Sequence, residues 1–513
     1  MVIFSQRRTF TYFVLVFMII VLVLALLFAM GGKAQAASHP LTLLSTDPYT
    51  NATSQHKTEV EPDTLAFGQT IVSAFQVGRF FNGGASNIGF ATSINGGTTF
   101  THGFLPGTTD KATPPGPYAR ASDASVAFDP KHNVWIISWL GIFETGNPAV
   151  PTNVDVEVSR STDGGHTWSN PIAVATHTAA TNYDKNWSVC DTTPTSPFYG
   201  QCYTEFDDNG QGDLVLMSTS RDGGLTWGAP QPTADSTHGL GGQPVVQPSG
   251  KVIVPLVDFD LSPFFAFMIG SFTSTDGGTT WSSTVLVSEV DFHAPNGNLR
   301  ADVPLPSAEM DASGKVYVAW SDCRFESGCA ASDIVFSSSP DGVSWTAVKR
   351  IPIDRVGSGV DHFLPGLAVD RATVGGAAHL ALVYYYYPNT NCTPATCQLN
   401  VGFVSSDNAG ARWTRAEQLA GPMTMSWLPN TTQGFMVGDY FSTSIAAHSD
   451  NATPVFMVAH APTGVVFDQA TYTTAESLSR LLLAAPPLTV GNDQALASSK
   501  SLKRVNNRSL TLR

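Results

Sequence analysis

Short apolar runs alternate with polar, turn-forming clusters along most of the chain. Residues 134–138 (VWIIS), 154–158 (VDVEV), 213–217 (DLVLM) and 316–320 (VYVAW) are rich in β-formers. Each is bounded by Gly, Pro, Asn, Asp or Ser, which is the pattern of short strands joined by turns. Within the repeats each unit opens with a polar cluster and gives a strand, a turn and a second strand. A variable loop and a third strand follow. The pattern predicts an all-β protein. A short helix is expected only beyond the repeats, over Ser477–Ala485.

The third strand of each unit runs into a recurring octet. Ser161 to Trp168 reads STDGGHTW, Ser220 to Trp227 reads SRDGGLTW, and Ser274 to Trp281 reads STDGGTTW. Ser93 to Phe100 is a softened copy, Ser339 to Trp345 is one residue short, and Ser405 to Trp413 is one residue long. An Asp carboxylate can accept backbone amide hydrogens of a turn, and Gly supplies the positive φ that other residues resist. Ser and Thr hydroxyls close further local bonds, and the Trp gives an apolar anchor beneath. The octet is a structural unit with nothing suited to catalysis.

Its starts at 93, 161, 220, 274, 339 and 405 lie 54 to 68 residues apart. Four-stranded units at this period predict a β-propeller of antiparallel blades. A unit at about 440–472 has three strand-like runs (441–446, 454–459 and 465–471) but no octet. Leu41–Leu44 can supply its fourth strand, so that both chain ends share one blade; seven blades are expected, six being the alternative. The expected domains are a leader (1–36), an N-terminal segment with the closing strand (37–60), the propeller (61–475) and a loose tail (476–513).

With 513 residues and a formal charge of −14, the acidic chain disfavours nucleic acid and anionic membranes as partners. Arg7 and Arg8, the apolar run from Tyr12 to Met30 and the small residues Ala34 and Ala36 read as a signal peptide cleaved after Ala36. An uncleaved anchor, giving a cell-surface rather than secreted protein, is the alternative and the one expected route to a membrane. Six cysteines in an exported chain read as disulfides, most simply Cys190 with Cys202, Cys323 with Cys329, and Cys392 with Cys397. No cofactor or metal is expected, and residues 207–213 (DDNGQGD) read as a polar turn rather than a Ca²⁺ loop.

The octets resemble the Asp-box, or BNR repeat, of the sialidase superfamily, over roughly residues 60–475. The resemblance implies a propeller with the boxes on the face opposite the site, so that Asp163, Asp222 and Asp276 stabilise. It places the site where the inner strands begin and where the second and third strands of each blade are joined. Ionisable residues recur there: Glu61, Asp63, Arg79, Arg120, Asp123, Asp184, Lys185, Arg300, Asp302, Arg324, Asp361, His362, Asp439 and Tyr440 among them. Sialidases clamp a substrate carboxylate with three arginines, and use a Tyr nucleophile helped by a Glu, with an Asp as acid/base. By position, Tyr440 would be the nucleophile, Glu61 its helper, and Asp63 or Asp123 the acid. Arg79, Arg120, Arg300 and Arg324 would supply the clamp, with Asp302, His362 and Asp439 completing the sugar contacts. The family's aromatic-Arg-Ile-Pro signature is absent from the chain. The expected function is thus a glycoside hydrolase of sialidase type acting on a glycan. A non-catalytic glycan- or protein-binding propeller and a polysaccharide hydrolase or lyase with two facing carboxylates are the alternatives; the sequence leaves oligomeric state open.

Overall fold

In a computed structural model of the chain, residues 39–146, 149–261, 267–446, 451–476, 478–479 and 488–489 are described. They belong to one unit, His39–Arg513. The expected leader and most of the tail lie outside the described residues. Within the expected 477–485 helix, Leu478–Ser479 instead pair as a strand with Asn451–Ala452. Among the described residues no helix is long and apolar enough to cross a membrane.

The protein is all-β, 48% strand and 3% helix, built from four-stranded antiparallel sheets and no closed barrel among the described residues. The innermost strands, in chain order, are Glu59–Phe67, Arg120–Asp129, Tyr183–Cys190, Gly239–Leu240 with Val245–Val246, Ser307–Met310, Asp361–Val369 and Ser442–Ile445. Behind each lie further strands in sequence order. The sheets of Glu59–Phe67 and Arg120–Asp129 are linked by one residue pair, Ala85 with Ala121. In the last sheet Ser442–Ile445, Asn451–Ala459 and Gln469–Thr474 are followed by Leu41–Leu43, which pairs antiparallel with Tyr472–Thr474.

Each inner strand touches the next, and Ser442–Ile445 touches Glu59–Phe67, so the series returns to its start. Side chains stitch these junctions by accepting backbone N–H groups from the neighbouring inner strand. Asp63 Oδ2 accepts from Val126 N (2.7 Å), Ser125 Oγ from Ser188 N (2.9 Å), and Gln243 Oε1 from Ala308 N (2.9 Å). Ser307 Oγ accepts from Leu367 N (3.0 Å), and Ser442 Oγ from Thr64 N (2.7 Å). A cavity lined by Thr64, Val126, Ser188, Gln243, Ser307, Leu367 and Ser442 runs between them. Apart from the single Ala85–Ala121 pair, each inner strand is an edge of its sheet and has no ladder partner on this side, so polar side chains satisfy its buried amides.

The octets fold as the chemistry requires. In Ser161–Trp168, Asp163 Oδ1 accepts from His166 N (3.1 Å), Thr167 N (2.9 Å) and Ser161 Oγ (2.7 Å), while Asp163 Oδ2 accepts from Thr167 Oγ1 (2.6 Å). These donors hold the Asp163 carboxyl below the usual range although what burial it has pulls the other way. The second glycine sits on the preceding sheet. A Cβ on Gly165 would lie 2.9 Å from Val72 Cγ2, one on Gly278 2.3 Å from Thr219 Oγ1, and one on Gly410 2.6 Å from Phe336 Cζ. The octets therefore staple neighbouring sheets as well as turning the chain. Between the first two sheets Val72, Ala74 and Ile88 pack on Val126, Ile137, Trp139 and the octet residue Trp168.

The sixth octet is not lengthened. Ser406 Oγ accepts from Gly410 N (2.9 Å) and Asn408 Oδ1 from Arg412 N (2.8 Å), the bonds that Ser161 and Asp163 make in their copy. The unit is Ser406–Trp413, with Asn in place of Asp and Ala409 (φ 58°) where Gly164 (φ 82°) stands in the second. Because Ala resists that conformation, Ala409→Gly is expected to stabilise the protein by about 1 kcal/mol, read from the urea midpoint. An unchanged midpoint would show that the turn tolerates the strain.

All three cysteine pairs are bonded as expected: Cys190–Cys202, Cys323–Cys329 and Cys392–Cys397. The first joins directly opposed residues of two paired strands.

Candidate functional site: a charged hub at the inner-strand bulges

Four inner strands carry the same irregularity near their start. The pairing slips at Val60/Asp63, Ser122/Ser125, Asp184/Trp187 and Phe363/Pro365. The extra residue in each is Glu61, Asp123, Lys185 or Leu364, at φ 54°, 48°, 51° and 52°. A bulge bends the strand and re-aims one side chain. Holding a non-glycine residue at positive φ costs of order 1–3 kcal/mol, a strain that packing elsewhere must offset.

Three of those side chains meet. Lys185 Nζ lies 3.5 Å from Asp123 Oδ2 and 3.8 Å from Glu61 Oε1, and it donates to Asp439 Oδ2. Arg300 Nη2 donates to the same Asp439 oxygen at 2.5 Å. Gln76 Nε2 donates to Glu61 Oε2 and reaches Asp123 Oδ1 at 3.4 Å, bridging two carboxyls. Asp439 N donates to Glu61 Oε1 at 3.2 Å. Arg79 lies alongside: Nη1 donates to Gly84 O at 2.7 Å, and Nε faces Met436 Sδ at 3.1 Å, a sulfur that Arg300 Nη1 also approaches at 3.7 Å. Tyr440 packs edge-on against Trp187, ring centroids 5.2 Å apart, with Lys185 Nζ 5.9 Å from its ring centre.

The environment separates these groups. Burial, and then Asp123, pushes the Glu61 carboxyl up to about 8. Burial also works against Asp439, but Arg300 and Lys185 hold its carboxyl below the usual range. Burial opposes the charge of Lys185, yet Asp123, Asp439 and Glu61 together raise its pKa well above an ordinary lysine. Asp184, beside Lys185 in sequence, is raised to about 6, by burial and then Asp123. Across the strand pair, Asp207 is fully buried, and neither of its oxygens has a hydrogen-bond partner among the described residues.

Not every residue expected at the site joins this cluster. Asp63 is a brace: besides Val126 N it accepts Thr64 N (2.8 Å) and Ser442 Oγ (2.7 Å), which leaves it occupied as an inter-strand clasp. Arg120 pairs with Glu144, donates to Asn82 Oδ1 (2.6 Å) and Gly83 O (2.7 Å), and stacks on Phe80. Arg324 donates to Asp322 Oδ1 (2.9 Å), Asp322 Oδ2 (2.6 Å) and Ser288 Oγ (3.0 Å) in another sheet. His362 is buried against Tyr384, near Asp333 and Asp354. Arg350 Nη2 already bridges those two carboxylates at 2.7 and 2.5 Å, supplying the positive charge a metal would bring. Asp302 is exposed. Of the four arginines expected to supply the clamp, Arg79 and Arg300 stand at the cluster, with Lys185 as a third cation. Tyr440 lies at the cluster, but its hydroxyl donates to Ala124 O at 3.3 Å rather than to a carboxylate. Burial, then Asp123 and Glu61, raises its pKa well above that of a free tyrosine.

Buried carboxyls give stability a pH signature. Glu59 and Glu61 stand at about 8 and Glu157 at about 7 in the folded chain, against 4.5 for an exposed Glu. Between 4.5 and 8 the folded state holds more protons than the unfolded one, so its stability falls as pH rises through that window. The octet acids Asp163, Asp222 and Asp276 are lowered, and their contribution is lost as pH falls below the ordinary 3.8. Scanning calorimetry is expected to find Tm highest near pH 5 and several degrees lower at pH 8. A Tm rising from pH 5 to 8 would show that these carboxyls ionise without cost.

No protein-family model matches the chain, and no curated protein matches it in sequence. Among solved structures it is similar to the leech intramolecular trans-sialidase, at 13% identity and TM-score 0.44, covering 67% of each chain. It is similar to a Hadza microbial sialidase at 14% identity and TM-score 0.42, over 81% of this chain and 65% of that one. A polysaccharide lyase, an ulvan lyase, gives 11% identity and TM-score 0.48 over 86% and 96%. This chain spans about two thirds of the length of the first two. With these three TM-scores below 0.5, the architecture rests on the strand pairing.

Proposed function

We propose that the protein is an exported seven-bladed β-propeller that cleaves a glycan at its hub. It acts as a glycoside hydrolase whose chemistry is carried by the carboxyl pair Glu61 and Asp123 rather than by a tyrosine nucleophile. The returning series of inner strands, and the completion of the last sheet by Leu41–Leu43, support the blade count. The leader pattern and three bonded cysteine pairs support export. The observation that carries the chemistry is the convergence of two carboxyls of unlike surroundings on Lys185. Glu61, raised to about 8, holds its proton at neutral pH and can give it to a leaving glycosidic oxygen. Asp123, beside the Lys185 ammonium, stands as the second carboxylate of the usual two-carboxylate scheme. Among the described residues the Tyr440 hydroxyl bonds Ala124 O and no carboxylate, which weighs against the tyrosine route.

The purified chain beginning at Ala37, offered fluorogenic neutral glycosides, glucuronides and sialosides, is the test. Turnover of at least one substrate, with rate falling as pH rises through about 8, is the expected result. No turnover of any across pH 4–9 would remove the hydrolase reading. A second reading, a non-catalytic glycan-binding propeller, is favoured by the closure of the hub, where Glu61 is 1% and Tyr440 8% exposed. Glycan-array binding without change to the ligand would support it.

A further inference from the structure

The three hub cations invite an acidic sugar, yet an internal anion stands among them. Asp439 Oδ2 takes both Lys185 Nζ and Arg300 Nη2. These three side chains are also the more open part of the hub: Lys185 is 9%, Asp439 13% and Arg300 14% exposed, against 1% for Glu61 and 5% for Asp123. A ligand arriving from solvent therefore meets the Lys185–Asp439–Arg300 line first. The carboxylate is held there by its backbone. Gly438 has φ 147°, a Cβ on it would lie 2.9 Å from Glu61 N, and the next amide, Asp439 N, bonds Glu61 Oε1 at 3.2 Å. Arg79, with no carboxylate partner among the described residues, is turned to Gly84 O and Met436 Sδ and is 3% exposed. No cation of the outer line is left for a ligand's carboxylate, and a second anion would sit beside Asp439 in a poorly solvated place.

We propose that Asp439 determines specificity: it fills, from within the chain, the position between Lys185 and Arg300 where the carboxylate of an acidic sugar would be held, so the hub accepts uncharged sugars and refuses acidic ones. This rests on the reading that the hub takes a sugar, but not on whether it cleaves one. Removing the charge while keeping the shape, as in Asp439→Asn, frees two cations and reverses the preference.

The experiment measures binding, so a protein without turnover still answers it. Glucuronate and acetate are titrated into the chain beginning at Ala37 and into its Asp439→Asn variant, by calorimetry and saturation-transfer NMR. The wild type is expected to bind neither at millimolar concentration. The variant is expected to bind both at least tenfold more tightly, more weakly at high salt, and no longer when Arg300→Ala is added. Asp439→Glu, which restores a carboxylate, should again refuse them. Wild-type binding of glucuronate within twofold of the variant, abolished by Arg300→Ala, would overturn the proposal, as would a folded Asp439→Asn with no gain. Should the Asn variant not fold, Asp439→Ser decides by the same criteria.

Discussion

Lys185→Met is expected to destabilise the protein by about 3–5 kcal/mol at pH 7.5, the usual cost of leaving buried ionic partners uncompensated. Lys185 Nζ serves Asp439, Asp123 and Glu61 at once, and the side chain is 9% exposed. Without it Asp439 keeps Arg300, but Asp123 keeps only Gln76 Nε2 at 3.4 Å and its neighbour Ser122 Oγ. The strained φ of 51° belongs to the backbone position and would be common to both side chains, so it cancels in the comparison. Part of the loss should be recovered at pH 5, where protonation of the abandoned carboxyls becomes easier. Urea midpoints at the two pH values give the answer. A loss under about 1 kcal/mol at pH 7.5 would mean that water screens the hub as it does a surface pair.

Glu61→Gln is expected to lower turnover by about 10²–10⁴-fold, the range for removing a general acid, while leaving stability at pH 8 unchanged or improved. The two effects part company because the folded protein already prefers a neutral group there: the carboxyl rests at about 8 and Gln76 stands against it. The wild type's loss of rate above pH 8 should disappear in whatever activity the variant retains. A Glu61→Gln enzyme with full turnover would remove Glu61 from the chemistry, whereas a variant that is both inactive and unstable would point to a structural role.

What the sequence showed most clearly was written in local chemistry. The octets and the three cysteine pairs each close their bonds within a few residues or one hairpin, so the residue types alone specify them. The sheet that pairs Leu41–Leu43 with Gln469–Thr474 was also legible, because the unit after Tyr440 lacks an octet and needs a fourth strand, which the apolar run near Leu41 can supply. The start of the sixth octet is ambiguous in sequence because Ser405 and Ser406 are adjacent; the bonds Gly410 N → Ser406 Oγ and Arg412 N → Asn408 Oδ1 decide it. The hub was legible in position but not in membership. Arg120 and Arg79 look alike in sequence, and what separates them is Glu144, which reaches Arg120 across the sheet. Asp63 looked like an acid beside Glu61, yet its partners Val126 N and Ser442 Oγ come from two other sheets. Lys185 stands at its strand start in the sequence with nothing in its own neighbourhood to mark it as part of the site. The signal that could have raised it is its place, equivalent in the third inner strand to Glu61 in the first and Asp123 in the second.

The pairing of Leu41–Leu43 with Tyr472–Thr474 has a consequence for biosynthesis. Among the described strands the first made must wait for one of the last, so this sheet stays incomplete through most of synthesis while the other sheets can form as they emerge. A stalled chain ending at residue 468 should be cut rapidly by protease, and the full-length protein should resist.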